Sequence, residues 1–265
     1  MNAAMPQPES RRARIARDFG RAAEHYDQAA RLQRGVADAA LARLAPHEDG
    51  HVLDLGCGTG YCLSGLQVRC QPRTLTAVDL SPAMIDYARS RRAVAAQWLV
   101  ADAQSVPLPS GQVDRLFSSL MVQWCQDLPA VLREIHRLLA EDGEAVVTTL
   151  VEGTLGELRD AWEAVDPGVP HVNRFLSLAQ LRDTVHGVFP EAQIETEHRV
   201  LAYPDVMALL RELKTLGATH KDGGRRSATS PGRLRALRSA YQRWQQDDGT
   251  VPATYEVAYL SLRKS

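Results

Sequence analysis

Two hydrophobic periods alternate along the chain. Short apolar runs, of the length expected for buried strands, occur at His51–Leu55, Leu75–Val78, Trp98–Ala101, Val113–Leu120 and Ala145–Val151. Between them apolar residues fall at helical spacing. A helix is expected from Thr59 towards Arg69, a second over Pro82–Arg92 with Met84, Ile85 and Ala88 on one face, and a third from Asp127 to Ala140 with Val131, Leu132, Ile135 and Leu138 on one face. Ser81 with Pro82, and Asp127, are N-cap signals for the last two. Glu141-Asp142-Gly143 reads as the turn into the fifth strand. Five such βα units predict an α/β fold with helices on both faces of the sheet.

The flanking segments extend this plan. Residues 1–9 read as a disordered leader. Ser10–Leu44 is helical, with Gly20 and Asp27 as candidate breaks into two helices, and as an extra element before the first strand it can lie across a ligand crevice. Beyond Val151 come a helix over Leu155–Val165, a loop at Asp166–Pro170, and a helix capped by Ser177 and running to His186. Gln193–Ala202 and Thr254–Leu262 read as two further strands. The roughly 50 residues between them far exceed a hairpin connection. They hold helices over Pro204–Leu216 and Pro231–Gln245. The expected organisation is a core of 10–203 and 250–265, with 204–249 inserted as a helical cap.

Candidate chemistry starts where the first strand ends, at Asp54-Leu55-Gly56-Cys57-Gly58-Thr59-Gly60. Strand, glycine loop and helix form the unit that cradles nucleotides in doubly wound sheets. The glycines stand at every second position rather than in the dinucleotide spacing G-x-G-x-x-G. Asp54 sits inside the motif, where it could accept from a ligand ammonium. Asp79 ends the second strand, placed to accept from both hydroxyls of a ribose, with Leu80 beside it. Asp102-Ala103 ends the third, and Ser118 ends the fourth. The glycine spacing and Asp54 fit a ligand with an amino-acid tail and a nucleoside better than a diphosphate, and three acids at three consecutive strand ends are unlikely by chance. A ligand-free strand–helix turn is the alternative for the glycines alone.

Composition narrows the class. A net charge of -1 gives no global pull towards nucleic acid or anionic membrane, and no apolar run is long enough to span a bilayer. The polar N-terminus lacks the apolar stretch of a secretory signal. Cys57, Cys62, Cys70 and Cys125 show no metal-ligand spacing, so no metal is expected, and they are read as buried free thiols of a reducing cytoplasm. Charge is uneven in one place. Between Glu212 and Arg243 stand eight basic residues, among them Lys214, Arg225 and Arg226, against two acidic ones. This is either a solvated helix face or a landing site for an acidic partner. It lacks the interleaved aromatics of a nucleic-acid surface.

The run D-x-G-x-G-x-G resembles the first motif of class I S-adenosylmethionine methyltransferases. That resemblance implies a Rossmann-like, seven-stranded, mostly parallel sheet. More specific stretches are similar to the malonyl-[acyl-carrier protein] O-methyltransferase family of biotin synthesis. These are Phe19-Gly20-Arg21-Ala22-Ala23 with Tyr26-Asp27 and Leu32-Gln33, Gln123-Trp124, Gly153-Thr154-Leu155, His171-Val172-Asn173-Arg174-Phe175, and Leu213-Lys214 with Gly217-Ala218. The resemblance implies methylation of the free carboxylate of a malonyl thioester by S-adenosylmethionine, releasing S-adenosylhomocysteine. Masking that charge lets the acyl end pass as a fatty chain. It also implies an acidic acyl carrier protein as partner, docking on the basic cap, and a cytoplasmic monomer. A carboxylate is already ionised at neutral pH, so the reaction needs positioning and desolvation rather than a general base. Arg174 is then expected to hold the carboxylate in bidentate geometry. His171 and Asn173 are possible helpers, Tyr26 is expected to close the lid and donate to the carboxylate, and Gln123 and Trp124 to meet the substrate. For His171, Asn173 and Tyr26 a packed structural role is the alternative, and for Arg174 a surface ion pair.

Overall fold

The computed structural model describes residues 11–217 and 230–265. The leader at 1–9 and the cap residues Ala218, Lys221, Arg225 and Arg226 lie outside them. The strands are β1 (His51–Leu55), β2 (Thr74–Asp79), β3 (Gln97–Val100), β4 (Val113–Ser118), β5 (Leu139–Leu150), β6 (Gln193–Tyr203) and β7 (Val251–Arg263). They form one sheet in the order β3-β2-β1-β4-β5-β7-β6, parallel except for β7, which runs antiparallel to both neighbours. The helices are α1 (Arg11–Ala29), α2 (Arg31–Arg43), α3 (Leu63–Cys70), α4 (Pro82–Arg91), α5 (Leu128–Leu138), α6 (Gly156–Val165), α7 (Leu178–His186), α8 (Val206–Thr215) and α9 (Pro231–Tyr241).

Two cores flank the sheet, and strand alternation assigns each side chain to one of them. Val52, Phe117, Val146, Tyr255 and Val257 enter the core beneath α2, α3, α6 and α9. Leu53, Leu55, Leu116, Val147, Ala258 and Leu260 enter the opposite core, beneath α5 and α7. The apolar face expected for α5 is realised: Val131, Leu132, Ile135 and Leu138 are fully buried. Burial of each is worth about 1.5–3 kcal/mol. The caps form as expected too, with Ser81 accepting from Met84 N, Asp127 from Ala130 N, and Ser177 making a full capping box with Gln180.

Several boundaries differ from expectation for identifiable reasons. Gly20 does not break the first helix. A Cβ there would sit 2.9 Å from Ser81 Oγ and 3.0 Å from Ala83 Cβ, so the glycine lets α1 lie directly on the start of α4. The break falls instead at Ala30. Gly20→Val is therefore expected to push α1 off α4, destabilising the fold by about 1–3 kcal/mol. A melting curve and the protease sensitivity of α1 would read this. Helix α3 starts at Leu63 rather than Thr59, because the glycine loop spends four more residues turning. Glu141-Asp142-Gly143 belongs to β5, with Asp142 at φ 60° in the irregular stretch where the pairing with β4 shifts.

Helices α8 and α9 lie between β6 and β7 in the chain. Helix α8 packs on α1, and α9 packs on α6. Gly217, just past α8, has φ 70°, and a Cβ there would lie 3.0 Å from the carbonyl oxygen of Asp18. The inserted segment thus rests against the backbone of the first helix.

Candidate active site

Strand order reverses between β2-β1 and β4-β5, and the loops after β1 and β4 part at that point. Gly56 N and Cys57 N both donate to Val78 O, at 2.8 and 2.9 Å, which brings the glycine loop against the end of β2. Asp79 then closes the turn, accepting from Gly58 N at 2.9 Å and from Ser81 N at 2.8 Å. Gly56 has φ 81°, and a Cβ there would meet Met121 Cγ at 2.3 Å, so the loop after β1 and the loop after β4 touch through a bare backbone.

The crevice so formed is lined by Gly56, Gly58, Asp79, Leu80, Asp102 and Ala103, all expected from the sequence. Helix α1 roofs it with Arg12, Ile15, Ala16 and Phe19. Arg12 ion-pairs with Asp102 Oδ2 at 2.8 Å and donates to Gln104 Oε1 at 2.5 Å, clamping the roof at its far end. The other end is fastened by Asp27, which accepts from Thr59 Oγ1 at 2.6 Å and pairs with Arg92; Arg92 Nε also donates to Thr59 O at 2.8 Å. Behind Asp102, Glu134 of α5 accepts from Val106 N at 2.7 Å and pairs with Arg137, which holds its carboxyl below the usual range.

Asp54 shares the parity of Val52 and so faces α2 rather than α5. It is 2% exposed, and its Oδ2 has no partner among the described residues. Burial first, and the nearby charge of Asp79 second, push its pKa up to about 8. A buried carboxylate oxygen with nothing to accept from is costly unless a ligand supplies the donor. It borders a small cavity with Gly58, Thr59 and Ser119. Asp79 is also raised by burial, against the lowering effect of the backbone N–H groups of Ser81, Gly58 and Leu80.

Two of the expected cofactor contacts are placed elsewhere. Ser118 faces the α5 side, buried, and donates to Leu55 O at 2.7 Å. The next residue, Ser119, lines the crevice, a one-position difference that in a strand means the opposite face. Gly60 is a packing glycine: its Cβ would contact Leu63, Arg92 and Ala88 at 3.0–3.2 Å.

A second, mostly apolar cavity of ≈ 310 Å³ adjoins the crevice. Its walls include Leu120, Leu155, Leu158, Trp162 and Tyr255, with Leu210, Leu213 and Lys214 from α8 and Leu234 from α9. Phe19, Tyr26 and Trp124 separate it from the crevice and line both. Phe19 meets Trp124 edge-on at 5.1 Å and Tyr26 at 6.3 Å. Tyr26 lines the crevice, the Asp54 cavity and the apolar cavity alike. Burial, then Asp79 and Asp27, raise its pKa, so the phenol keeps its proton and can donate.

The remaining expected residues divide. Asn173 and Trp124 line the apolar cavity. Gln123 lines it as well, but its amide is committed: Nε2 donates to Leu120 O at 2.7 Å, bracing a residue at φ 49°. His171 is stacked on Trp162 at 4.0 Å and paired with Asp166 at 2.9 Å, a held structural group within the wall. Arg174 is not brought to this cavity. It is exposed and lines a neighbouring cleft, because the chain turns outward after Asn173 while Phe175 turns back in. In the inserted segment Lys214 and Arg235 are exposed, whereas Arg233 pairs with Asp166 and Arg238 with Asp205.

Sequence reasoning gave no role to Gln33, whose buried Oε1 has no partner among the described residues and which lines both the Asp54 cavity and the apolar one. It also gave none to Trp162 and Tyr255. A polar residue on the apolar face of α2, between Leu32 and Val36, was the available signal for Gln33.

No helix among the described residues is long and apolar enough to cross a membrane, and no group of three or more His, Cys, Asp or Glu among them could hold a metal ion. All four cysteines are free. The acids at the strand ends, the orphaned oxygen of Asp54 and the tight glycine turn fit S-adenosylmethionine, and fold and site together define a class I S-adenosylmethionine-dependent methyltransferase. A methyltransferase-domain family model matches residues 53–147. The fold is that of phosphoethanolamine N-methyltransferase 2 of Haemonchus contortus, solved with S-adenosylmethionine, at a TM-score of 0.60 and 18% identity over 98% of this chain and 61% of that one. The malonyl-[acyl-carrier protein] O-methyltransferase of Serratia marcescens is 46% identical over 92% of this chain and 93% of its own length. The biotin biosynthesis bifunctional protein BioHC of Saccharophagus degradans is 40% identical over 96% of this chain and 47% of that longer protein. The chain belongs to the malonyl-[acyl-carrier protein] O-methyltransferase family.

Proposed function

We propose that the protein methylates the free carboxylate of a malonyl thioester borne on acyl carrier protein, in biotin synthesis. The observation that carries this is the meeting of three cavities at Tyr26, one of them holding an unpartnered buried carboxylate and one apolar and roofed by the inserted helices. When bound, S-adenosylmethionine supplies an electrophilic methyl on a sulfonium. Asp54 would receive its ammonium, Asp79 its ribose and Asp102 its adenine. One carboxylate oxygen gains the methyl and the sulfonium loses it, so two opposite charges vanish and S-adenosylhomocysteine and a neutral ester remain. The aromatic partition of Phe19, Tyr26 and Trp124 keeps water from that point, which favours the loss of charge. The Tyr26 hydroxyl and the Gln33 amide are polar groups that the acyl cavity shares with the Asp54 cavity, and we assign them to orient the carboxylate.

An acceptor that is already anionic suits what lines the apolar cavity. Its one carboxylate among the described residues, Glu212, accepts from Tyr203 Oη at 2.6 Å and pairs with Arg31, and His171 is engaged with Asp166. Glu212 is thereby committed and is not poised to act as the general base that carbon methylation would require. The acidic carrier docks on the basic inserted segment, where Lys214 and Arg235 face outward. The test is mass spectrometry of malonyl carrier protein after incubation with the purified chain and S-adenosylmethionine. One added methyl on the acyl group is expected. Methyl transfer to a quinone-type acceptor and none to the malonyl carrier would overturn the reading.

A further inference from the structure

Beside the acyl cavity lies a larger cleft of ≈ 580 Å³, between the turn after β4, the end of β5 and the loop leading into α7. It shares Gln123, Leu150 and Phe175 with the acyl cavity, so the two spaces are neighbours across those side chains. Two guanidinium residues border it, Arg11 at the start of α1 and Arg174 in the loop before α7. No carboxylate lines it among the described residues, and Arg174 has no ion-pair partner among them. The rest of the lining mixes apolar residues with hydrogen-bonding ones such as Gln126 and Thr149. The cleft is thus a half-apolar passage with a positive rim, leading to the place where an acyl group would sit.

We propose that this cleft admits the thiol arm of the acyl substrate, the methyl acceptor, and that Arg174, with Arg11, holds the phosphate at the far end of that arm. The assignment rests on the thioester reading above. A guanidinium matches phosphate oxygens in bidentate geometry, and Arg174 is exposed on a cleft that no carboxylate lines among the described residues. The amide-containing arm finds both apolar walls and hydrogen-bonding groups along the way. Arg174 therefore acts on the anchor of the substrate, one residue outside the acyl cavity, rather than on the carboxylate. The same phosphate occurs on a carrier-protein arm and on coenzyme A, so both should feel this site.

The test compares malonyl-pantetheine, malonyl-phosphopantetheine, malonyl-coenzyme A and malonyl carrier protein as methyl acceptors. The wild-type KM is expected to be about tenfold lower for the phosphorylated arm than for the unphosphorylated one, the size of one charge-assisted contact. Arg174→Gln should bring the two values together, with kcat held and the KM for malonyl-pantetheine within about twofold of wild type. Carrier-bound and coenzyme A substrates should lose the same factor, and Arg11→Gln should act in the same direction. An equal loss on phosphorylated and unphosphorylated thioesters would overturn the proposal, because Arg174 would then serve the acyl group. So would an unchanged ratio in Arg174→Gln together with its collapse in Lys214→Gln, which would move the phosphate to α8. Failure of the wild type to methylate any thioester would instead remove the substrate reading itself, and this assignment with it.

Discussion

Asp54→Asn is expected to weaken S-adenosylmethionine binding by about two orders of magnitude or more, since it withdraws the charge from a buried ammonium partner. Calorimetric titration would measure this. The same substitution should change the pH dependence of the free protein. The Asp54 pKa stands at about 8 in the fold against an ordinary carboxyl value when unfolded. Between about pH 4 and 8 the native state therefore holds a proton that the unfolded chain has released, and stability falls as pH rises through that window. Asp79, also raised by burial, adds to the slope in the same sense. The variant loses the Asp54 share, so its melting temperature should fall less between pH 5 and 8 than that of the wild type. A variant that binds the cofactor normally, or melts with the wild-type slope, would show that the orphaned oxygen has another purpose.

Tyr26 should matter for turnover more than for binding. Tyr26→Phe keeps the ring between Phe19 and the cavities and removes the hydroxyl. We expect kcat to drop by roughly tenfold to a hundredfold, as for loss of one positioned hydrogen bond to a charged group, with cofactor affinity little changed. Tyr26→Ala also opens the aromatic partition to water, and a loss of about a thousandfold is expected. Single-turnover methyl transfer with saturating cofactor separates the two effects. Full activity in Tyr26→Phe would place the hydroxyl outside the reaction.

The crevice at the strand ends was legible in the chain because it depends on sheet topology. Parallel strands in a doubly wound sheet all finish at one edge, so Asp54, Asp79 and Asp102 could be brought together from their positions alone. Ser118 shows the limit of that reasoning. A strand end fixes the edge but not the face: Ser118 turns to the α5 side, and Ser119 lines the crevice. Gly20 shows another: a glycine reads as a breaker in isolation, and only the approach of a second helix reveals it as a contact. The acyl half was less legible, since its walls come from seven separated segments and its shape is set by tertiary packing. The chemical type of Arg174 suggested a carboxylate anchor, yet side-chain direction in an irregular loop follows no period that a sequence displays. Gln33 was given no role for the opposite reason: it lies in a regular helix, among apolar neighbours that hid it.

Helix α1 covers the nucleoside crevice along its first turns and reaches the acyl cavity with Phe19 and Tyr26. The two spaces therefore share one wall, and a displacement of α1 that widens the crevice also alters the boundary of the acyl cavity.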